Sequence, residues 1–358
     1  MAVATPDKTA AELFSERTLQ IINDGALALM MSIGHRTGLF DTMAHLPPAP
    51  AATIAKAAQL NERYVREWLG AMVTGGIVDY DATARTYRLP EAHAASLTRE
   101  MSPNNMAVTT QWIGVLGGVE DAVVDAFHHG EGVPYGAYHR FHSVMAEESQ
   151  QTVVAGLREH ILPLVDGLTA RLTSGIDVLD VACGSGRAVL AMAEAFPASR
   201  FTGIDMSAEA IAAGRGEVTT RRVRNATLVV GDAAALDMRP RYDLVTAFDA
   251  IHDQAQPDEV LQRIQRALRP GGVFLMQDIA GRTELADNMT NPLAPFTYTI
   301  SCMHCMSVSL SSGGPGLGAM WGREKALEML AAAGFTGVRV DTLPHDPINY
   351  YYVAAKKS

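Results

Sequence analysis

A glycine-rich turn between an apolar run and a helical stretch is the feature that most limits how this chain can fold. From Ile176 to Arg187 the sequence reads I-D-V-L-D-V-A-C-G-S-G-R, and a helical pattern continues over Ala188–Phe196. A strand, a turn with Gly184 and Gly186, and a helix bring a nucleotide-like ligand close to bare backbone, because glycine has no Cβ to block the approach. This signal alone is compatible with several cofactors.

Strand and helix patterns alternate from this turn to the end of the chain. The predicted strands are Val178–Val181, Phe201–Ile204, Ala226–Val230, Leu244–Phe248, Val273–Gln277, Val338–Leu343 and Tyr350–Ala354. The helices between them are Ala188–Phe196, Ala208–Arg221, Pro257–Leu268 and Arg323–Ala333. This alternation predicts an α/β domain with a mostly parallel, doubly wound sheet, and the last two strands predict an antiparallel hairpin.

Carboxylates follow the next three strands at the edge where open α/β sheets bind ligands. Asp205 ends F-T-G-I-D, where it can accept hydrogen bonds from both hydroxyls of a ribose. Asp232 ends V-V-G-D, followed by Ala233, and is placed to accept from an exocyclic adenine amine. Asp249 follows the fourth strand and His252 comes three residues later. A nucleotide-like ligand is therefore expected across these strand ends.

A nicotinamide dehydrogenase is the main competing interpretation of the glycine turn. Its fingerprint requires a third glycine three residues after the second, whereas Gly186 is followed by Arg187, Ala188 and Val189. The predicted C-terminal hairpin also disfavours that class.

Together with the turn Leu268-Arg-Pro-Gly-Gly272, these motifs resemble the class I S-adenosylmethionine-dependent methyltransferases over about residues 170–358. The resemblance implies S-adenosylmethionine as the cofactor. The implied cofactor-binding residues are Asp180, Gly184 and Gly186 for the methionine part, Asp205 and the adjacent Met206 for the ribose, Asp232 and Ala233 for adenine, and Asp249 near the amino group.

The run A-I-H-D-Q around His252 resembles the L-H-D-W segment of small-molecule O-methyltransferases, with Gln254 in place of the tryptophan. The resemblance implies that His252 is the general base that removes a hydroxyl proton, a task suited to an imidazole near neutral pH. An alternative is a loop histidine that caps the helix beginning at Pro257. The whole-chain pattern is also similar to mycobacterial-type methyltransferases of unassigned substrate.

Residues 1–100 predict a winged-helix domain. A buried helix is expected over Leu19–Met43, then helices over Ala51–Leu60 and Glu62–Met72, and a hairpin of Ile77–Tyr80 and Thr86–Leu89. Asn61 is the predicted N-cap of the third helix, whose buried face is predicted to contain Tyr64, Trp68, Leu69 and Met72. Eleven acidic and nine basic residues give this region a formal charge of −2. DNA binding is therefore disfavoured, and a homodimerisation domain that roofs the active site is expected.

A helical connector is expected over residues 101–172, and the methyltransferase domain over residues 173–358. An insertion over residues 287–321 is the expected substrate lid, with Gly313, Gly314, Gly316 and Gly318 as hinges. The substrate candidates are Tyr138, His139, Cys302 and His304. The alternative role for Tyr138 and His139 is packing between the domains.

No metal site is expected in the C-M-H-C segment that contains Cys302, His304 and Cys305. A structural zinc needs four ligands, and no second cysteine pair exists. An arsenic methyltransferase would use three thiols, but Cys183 lies in the cofactor turn. Lining of a substrate pocket is the preferred interpretation.

Composition limits the partners and the compartment. The net charge of −10 argues against nucleic-acid and anionic-membrane binding, and no apolar run is long enough to span a bilayer. Three cysteines do not form a disulfide framework, so a cytoplasmic protein is expected. The leading hypothesis is a homodimeric methyltransferase for a small, fairly apolar acceptor, with O-methylation favoured. A thiol S-methyltransferase and a winged-helix DNA-binding regulator that senses S-adenosylmethionine are the alternatives.

Overall fold

The computed structural model describes residues 8–237 and 239–357, and the chain divides into two compact units between Gly114 and Val115. No helix in the described part of the chain has the length and apolar character that a membrane crossing requires.

The first unit is a helical domain with a small wing. Its helices are α1 (Ala10–Arg36), α2 (Leu39–Ala44), α3 (Ala51–Ala58), α4 (Glu62–Thr74) and α5 (Glu91–Ala94), with a 3-10 turn at Arg99–Met101. Strands β1 (Asp79–Asp81) and β2 (Thr86–Arg88) pair antiparallel, which confirms the predicted hairpin. Asn61 caps α4 by accepting from the Arg63 backbone N–H at 3.0 Å, as predicted.

The core of this unit lies between α2, α3 and α4. Phe40 and Trp68 pack edge to face, with ring centroids 5.3 Å apart, and Leu69 and Met72 are fully buried. The prediction for Tyr64 was wrong: its side chain is 81% exposed, and Val65 takes its place in the core. Tyr64 and Val65 are neighbours, so a shift of one position rotates the buried face by about 100°.

The prediction of a single buried helix over Leu19–Met43 was also wrong. The chain forms two helices there, because the turn at Thr37-Gly38 separates α1 from α2 and Gly38 adopts a left-handed φ of 71°. Only the C-terminal part of α1 packs against α4, where the Trp68 indole N–H donates to the Met30 carbonyl oxygen at 2.8 Å. The first half of α1 exposes Phe14 and Ile22 to solvent.

Helix α6 (Gln111–Gly117) contains the division between the units, and the second unit alternates helices and strands. Its helices are α7 (Glu120–His129), α8 (Phe141–Ser149), α9 (Leu168–Ser174), α10 (Arg187–Ala195), α11 (Ala208–Thr220), α12 (Pro257–Ala267), α13 (Leu285–Asn288), α14 (Ala294–Ile300), α15 (Met306–Ser311) and α16 (Gly322–Ala332). Its strands are β3 (Asp177–Val181), β4 (Arg200–Asp205), β5 (Ala226–Val230), β6 (Tyr242–Phe248), β7 (Leu268–Ile279), β8 (Thr336–Leu343) and β9 (Asp346–Ala355). Short 3-10 turns lie at Tyr135–Ala137, Leu162–Leu164 and Ala233–Ala235, and π-helical turns at Gln150–Val154, Leu157–Ile161 and Ser301–Cys305.

One seven-stranded sheet organises this unit, in the order β5-β4-β3-β6-β7-β9-β8. The first five strands in this order are parallel, and β9 pairs antiparallel with both β7 and β8. The predicted α/β fold class and the C-terminal antiparallel hairpin are confirmed. Strand β7 begins five residues earlier than predicted, because Leu268-Arg-Pro-Gly-Gly272 continues into the strand.

Both faces of the sheet are buried. Neighbouring residues of a strand enter opposite cores, as Leu244 and Val245 of β6 show. Such two-sided burial is typical of parallel sheets covered by helices. The carboxyl ends of β3, β4, β5 and β6 consequently lie along one edge, where the loops carry the candidate functional residues.

The two glycines of the β3–α10 turn form a matched pair for testing how closely the turn packs against its neighbours. An added Cβ at Gly186 (φ 72°) would lie 2.7 Å from a Leu228 methyl group, whereas at Gly184 (φ 54°) it would meet nothing within 4 Å. We expect Gly186→Ala to reduce the free energy of unfolding by about 2–4 kcal/mol, and Gly184→Ala by about 1 kcal/mol from backbone strain alone. Denaturant unfolding of both variants measures this difference, and equal losses would contradict the packing argument.

Candidate active site

The glycine turn and the end of β4 are joined by hydrogen bonds. One oxygen of Asp205 accepts from the Gly184 backbone N–H, and the other from the Ser207 N–H, both at 2.8 Å. Open space lies beside the Gly184 Cα, on the side where a side chain would project. The bare backbone expected from the sequence is therefore present beside the Asp205 carboxylate.

Asp180, at the end of β3, is 2% exposed and accepts a hydrogen bond from the Thr246 hydroxyl at 2.6 Å. Burial raises the pKa of this carboxyl to about 7, the nearby Asp205 charge adds to the increase, and the Thr246 hydrogen bond opposes it. A buried acid of this kind is stabilised by any cation that reaches it.

The adenine candidates lie at the end of β5. Asp232 is exposed, and one of its oxygens accepts from the Ala234 backbone N–H at 2.8 Å. Ala233 is 6% exposed and belongs to the core, and its carbonyl oxygen accepts from the Leu236 N–H at 3.2 Å. Met206 is 69% exposed beside Asp205.

Asp249 follows β6 in a left-handed conformation, with a φ of 55° that is uncommon outside glycine. Its backbone N–H donates to the Gln277 carbonyl oxygen at 2.9 Å, which holds this turn against β7. Its Oδ1 atom is buried and has no hydrogen-bond partner among the described residues. Burial raises its pKa to about 7, whereas the nearby His252 opposes the increase. This oxygen lies 3.9 Å from His252 Nδ1, which is too far for a hydrogen bond, so a bound group can donate to it.

His252 is 2% exposed, and its Nδ1 atom lies 2.8 Å from Oδ1 of Asp278, a fully buried residue near the end of β7. The same oxygen accepts from the Trp321 indole N–H and from the Ile279 backbone N–H, both at 2.9 Å. His252 therefore does not cap α12, whose N-cap is Gln256. The arrangement fixes the orientation of the imidazole.

The environment of His252 favours its protonated form. Burial alone lowers the pKa of the imidazole, but the Asp278 carboxylate, which is bonded to Nδ1, and the nearby Cys305 raise it well above the usual value. The ring must lose this proton before it can act as a base.

An aromatic cluster of Tyr135, Tyr138, Phe141, His142 and His304 covers this region. The His304 ring stacks on Phe141, with centroids 4.2 Å apart, and Tyr138 donates its hydroxyl to the Met303 carbonyl oxygen at 2.5 Å. Burial lowers the pKa of His304 to about 3, and its Nε2 atom has no partner within the described chain. Of the four substrate candidates, Tyr138 and His304 meet in this cluster.

The other two candidates lie elsewhere. His139 is exposed. Cys302 lines a groove of about 200 Å³ beside α7, together with Phe127 and Met306. The C-M-H-C segment therefore presents its two thiols to different surroundings, since Cys305 is 5% exposed and does not line this groove.

One group of possible metal ligands occurs among residues 8–237 and 239–357. Asp249, His252 and Asp278 each place a ligand atom within 4.8 Å of the others. His252 and Asp278 are already hydrogen-bonded to each other through Nδ1 and Oδ1, whereas Oδ2 of Asp278 is buried and has no partner among the described residues.

Sequence reasoning missed Asp278 and Trp321. Asp278 carries the same signal as the other candidates, a carboxylate at the carboxyl end of a parallel strand. Trp321 lies 43 residues further along the chain, and its contact with Asp278 depends on the packing of the insertion.

Comparisons with known proteins agree with this geometry. Residues 25–99 match the Rv2258c-like winged HTH domain, and residues 172–334 match a methyltransferase domain family. These matches identify a winged HTH domain followed by a methyltransferase domain. The matched methyltransferase family depends on S-adenosylmethionine.

A demethylmenaquinone methyltransferase of Listeria monocytogenes is 34% identical over 104 residues, which are 28% of this chain and 44% of that protein. The chain thus spans under half the length of this curated relative. An uncharacterized methyltransferase of Synechocystis is 33% identical over 125 residues, 34% of this chain and 54% of the relative.

The fold extends over whole solved structures. A putative O-methyltransferase from Nostoc punctiforme superposes with a TM-score of 0.73 at 19% identity, over 98% of this chain and 100% of that one. Human N-acetylserotonin methyltransferase in complex with S-adenosylmethionine gives a TM-score of 0.70 at 18% identity, over all of both chains.

The buried acid at the methyltransferase domain's first strand gives a pH test. Because Asp180 holds its proton to about pH 7 when folded, and its usual pKa is 3.8, folding takes up a proton between these values. The stabilising contribution of this proton to the free energy of unfolding is fully present below about pH 4. It is lost as the pH rises to 7, by up to about 1.4 kcal/mol per pH unit. We expect Asp180→Asn to flatten this decline in denaturant unfolding, whereas the exposed change Asp121→Asn leaves it intact. An unaltered slope in the first variant would contradict the raised pKa.

Proposed function

We propose that the protein transfers the methyl group of S-adenosylmethionine to a small acceptor, with His252 as the general base. The observation that carries the proposal is the buried His252–Asp278 pair, which lies at the same sheet edge as the predicted cofactor residues. The solved human relative, which contains S-adenosylmethionine, supports the choice of cofactor.

The residues present fit this cofactor. Gly184 offers a bare backbone surface, Asp205 and Asp232 offer carboxylate oxygens at neighbouring strand ends, and Asp249 has a buried oxygen without a described partner. We propose that these groups hold the methionine part, the ribose, the adenine and the amino group respectively. When bound, the cofactor supplies an electrophilic methyl group on a sulfonium sulfur.

The protein's chemical contribution is then alignment and proton removal. Asp278 holds Nδ1 of His252 and leaves Nε2 directed away from the pair. Neutral His252 accepts the acceptor's proton at Nε2, and Asp278 stabilises the imidazolium that results. O-methylation is favoured because a hydroxyl needs this base, whereas a thiol ionises more readily, so S-methylation is the alternative.

The acceptor is proposed to be small and fairly apolar. The aromatic cluster lies beside the His252 loop, and the insertion that contributes His304 also contributes the buried Cys305. A neutral His304 and a carbonyl-bonded Tyr138 offer few charges to a ligand. A charged acceptor would lose its hydration there without replacement.

We also propose a homodimer that pairs through α1. Five apolar side chains of its first half are more than half exposed: Leu13, Phe14, Leu19, Ile21 and Ile22. A helix that is apolar on more than one side is normally buried, and a second copy of this chain offers the same helix in return. The three cysteines are free, which suits a reducing compartment such as the cytoplasm.

A DNA-binding regulator is the competing function, and the charge of α4 disfavours it. Arg63 pairs with Glu67, and Arg66 pairs with Glu62, so these cations are matched by acids one turn away. Phosphate contacts supply most non-specific DNA affinity. Salt-dependent duplex binding without consumption of the methyl donor would favour the regulator.

His252→Gln tests the base. With a hydroxyl acceptor found by screening for loss of the donor's methyl group, we expect turnover to fall by about 10²–10⁴-fold while S-adenosylmethionine still raises the melting temperature. Unchanged turnover would exclude His252 as the base, and no thermal shift with the wild-type protein would exclude the cofactor.

Asp278→Asn provides the matched variant for the base. Because the carboxylate raises the pKa of His252, the rising limb of the kcat/KM pH profile should move to lower pH in this variant. A profile that does not move would show that the limb belongs to another group.

Phe14→Asp tests the dimer. We expect a monomer by size-exclusion chromatography with light scattering, because a charge would be buried without a partner at the centre of the apolar face. Phe127→Asp makes the same change at a phenylalanine that is 76% exposed in the second unit, and it should remain dimeric. A dimeric Phe14→Asp protein would remove α1 from the interface.

A further inference from the structure

We propose that Trp321 is a positioning residue for the general base: its indole N–H fixes the Asp278 carboxylate that holds His252, so the insertion that ends at Trp321 sets the orientation of the imidazole. The indole acts on His252 through Asp278, its hydrogen-bond acceptor. This inference rests on the proposed function, because it gives Trp321 a part in the same proton transfer.

The two oxygens of the Asp278 carboxylate have unequal surroundings. Oδ1 lies 2.8 Å from His252 Nδ1, and it accepts from the Trp321 indole N–H and the Ile279 backbone N–H, both at 2.9 Å. Oδ2 is buried and has no partner among the described residues. A carboxylate that could turn freely would share its donors between both oxygens, because an unpaired buried oxygen loses its hydration without replacement. The three donors on Oδ1 therefore hold the carboxyl plane in one orientation.

The indole differs from the other two donors in where it comes from. Ile279 is the next residue of β7, so its N–H fixes the carboxyl group relative to its own backbone. His252 is the group that is positioned. Trp321 lies 43 residues after Asp278, is 4% exposed, and comes from the far end of the insertion. The indole is consequently the contact through which the insertion acts on the base.

The backbone of Trp321 is attached to the segment that leaves β7. Its carbonyl oxygen accepts from the Thr283 hydroxyl at 2.9 Å, and the Arg323 N–H donates to the Gly281 carbonyl oxygen at 3.0 Å. An added Cβ at Gly322, whose φ is 82°, would lie 2.1 Å from the Thr283 backbone nitrogen. The two ends of the insertion thus meet at Trp321, and the backbone sets the position of the indole together with its own hydrogen bond.

The middle of the insertion is anchored to two neighbouring segments. The Ser309 hydroxyl donates to the Gln254 carbonyl oxygen at 3.0 Å, in the loop that carries the base. The Ser307 hydroxyl accepts from the Val133 N–H at 2.8 Å, and an added Cβ at Gly132 would lie 1.8 Å from the Ser307 carbonyl oxygen. The insertion is therefore held along its length as well as at its ends.

The indole also limits how strongly Asp278 attracts the proton of His252. A donor that shares Oδ1 takes up part of the negative charge that would otherwise stabilise the imidazolium. The other titratable groups near the ring are Asp249, Asp253, His304 and Cys305. Loss of the indole N–H should strengthen the pair and raise the pH at which the neutral base becomes available.

Trp321→Phe removes the N–H and keeps an aromatic ring in the core. With the acceptor found for the proposed function, we expect kcat to fall by about tenfold, because the imidazole is held less well. The KM for the acceptor and the thermal shift by S-adenosylmethionine should stay as in wild type. The rising limb of the kcat/KM profile should move to higher pH by about half a unit, opposite to Asp278→Asn. A limb that stays in place or moves to lower pH, or an unchanged kcat, overturns the proposal.

Two further variants separate this role from a loss of packing. Trp68→Phe removes an indole N–H that donates to the Met30 carbonyl oxygen at 2.8 Å in the first unit, and it should lower stability without moving the pH profile. Benzothienylalanine at position 321 keeps the bicyclic ring and has sulfur in place of the N–H. It should reproduce the pH shift of Trp321→Phe with a melting temperature near that of wild type. A benzothienylalanine protein with the wild-type profile overturns the proposal.

NMR titration of His252 in the protein without ligands gives a readout that does not depend on activity. The pKa should be higher in Trp321→Phe than in wild type, and an unmoved pKa overturns the proposal. If the pKa moves but His252→Gln keeps full turnover, the proposed function fails and the role of Trp321 as positioning residue for the base fails with it. If His252→Gln loses turnover and Trp321→Phe keeps the wild-type profile, this proposal fails alone.

Discussion

The parallel pairing of β3 with β4 and β6 is the constraint on which the positions of the candidate functional residues depend. Val181 pairs with Ile204, and Asp180 pairs with Thr246, so the three strands end at nearly the same level. The turns that follow therefore open on one edge of the sheet. Residues as far apart in sequence as Gly184 and His252 are brought to that edge by backbone hydrogen bonds alone.

Desolvation is the common property of the groups at this edge. Asp180 and His252 are buried and the Asp249 side chain is 27% exposed, and each has an altered pKa because of this burial or because of a charged neighbour. A buried carboxyl whose pKa lies near 7 changes its charge readily at neutral pH. A surface carboxyl with an ordinary pKa stays ionised there. Binding of a cation at this edge is thus coupled to the protonation of the protein.

The sequence was sufficient for the fold of the second unit and for the positions of most polar residues at the carboxyl edge of its sheet. Strand and helix periods are strong there because the central strands β3, β6 and β7 are buried on both faces, and Asp205 and Asp249 follow directly from the strand ends. The first unit was predicted less well. The exposed Tyr64 and the break at Gly38 depend on which face of a helix meets its neighbour, and a composition rich in alanine and leucine does not specify that face.

The partner of His252 could not be predicted with the same ease. Asp278 is 26 residues away, and its contact with Trp321 requires the insertion to fold back on the sheet. Strand-end reasoning identifies an acidic residue there, but its bond to a particular ring nitrogen is a property of packing.

The close approach of Gly132 to Ser307 has a consequence for how this protein can change over time. Any residue other than glycine at position 132 would place its Cβ against the Ser307 carbonyl oxygen, in the insertion. The segment before α8 and the insertion are therefore locked to each other as a matched pair, although 174 residues separate Val133 from Ser307 in the chain. Exchange of the insertion for one of another length would require a compensating exchange in that distant segment, so new acceptors are reached more easily by altering single side chains than by grafting loops.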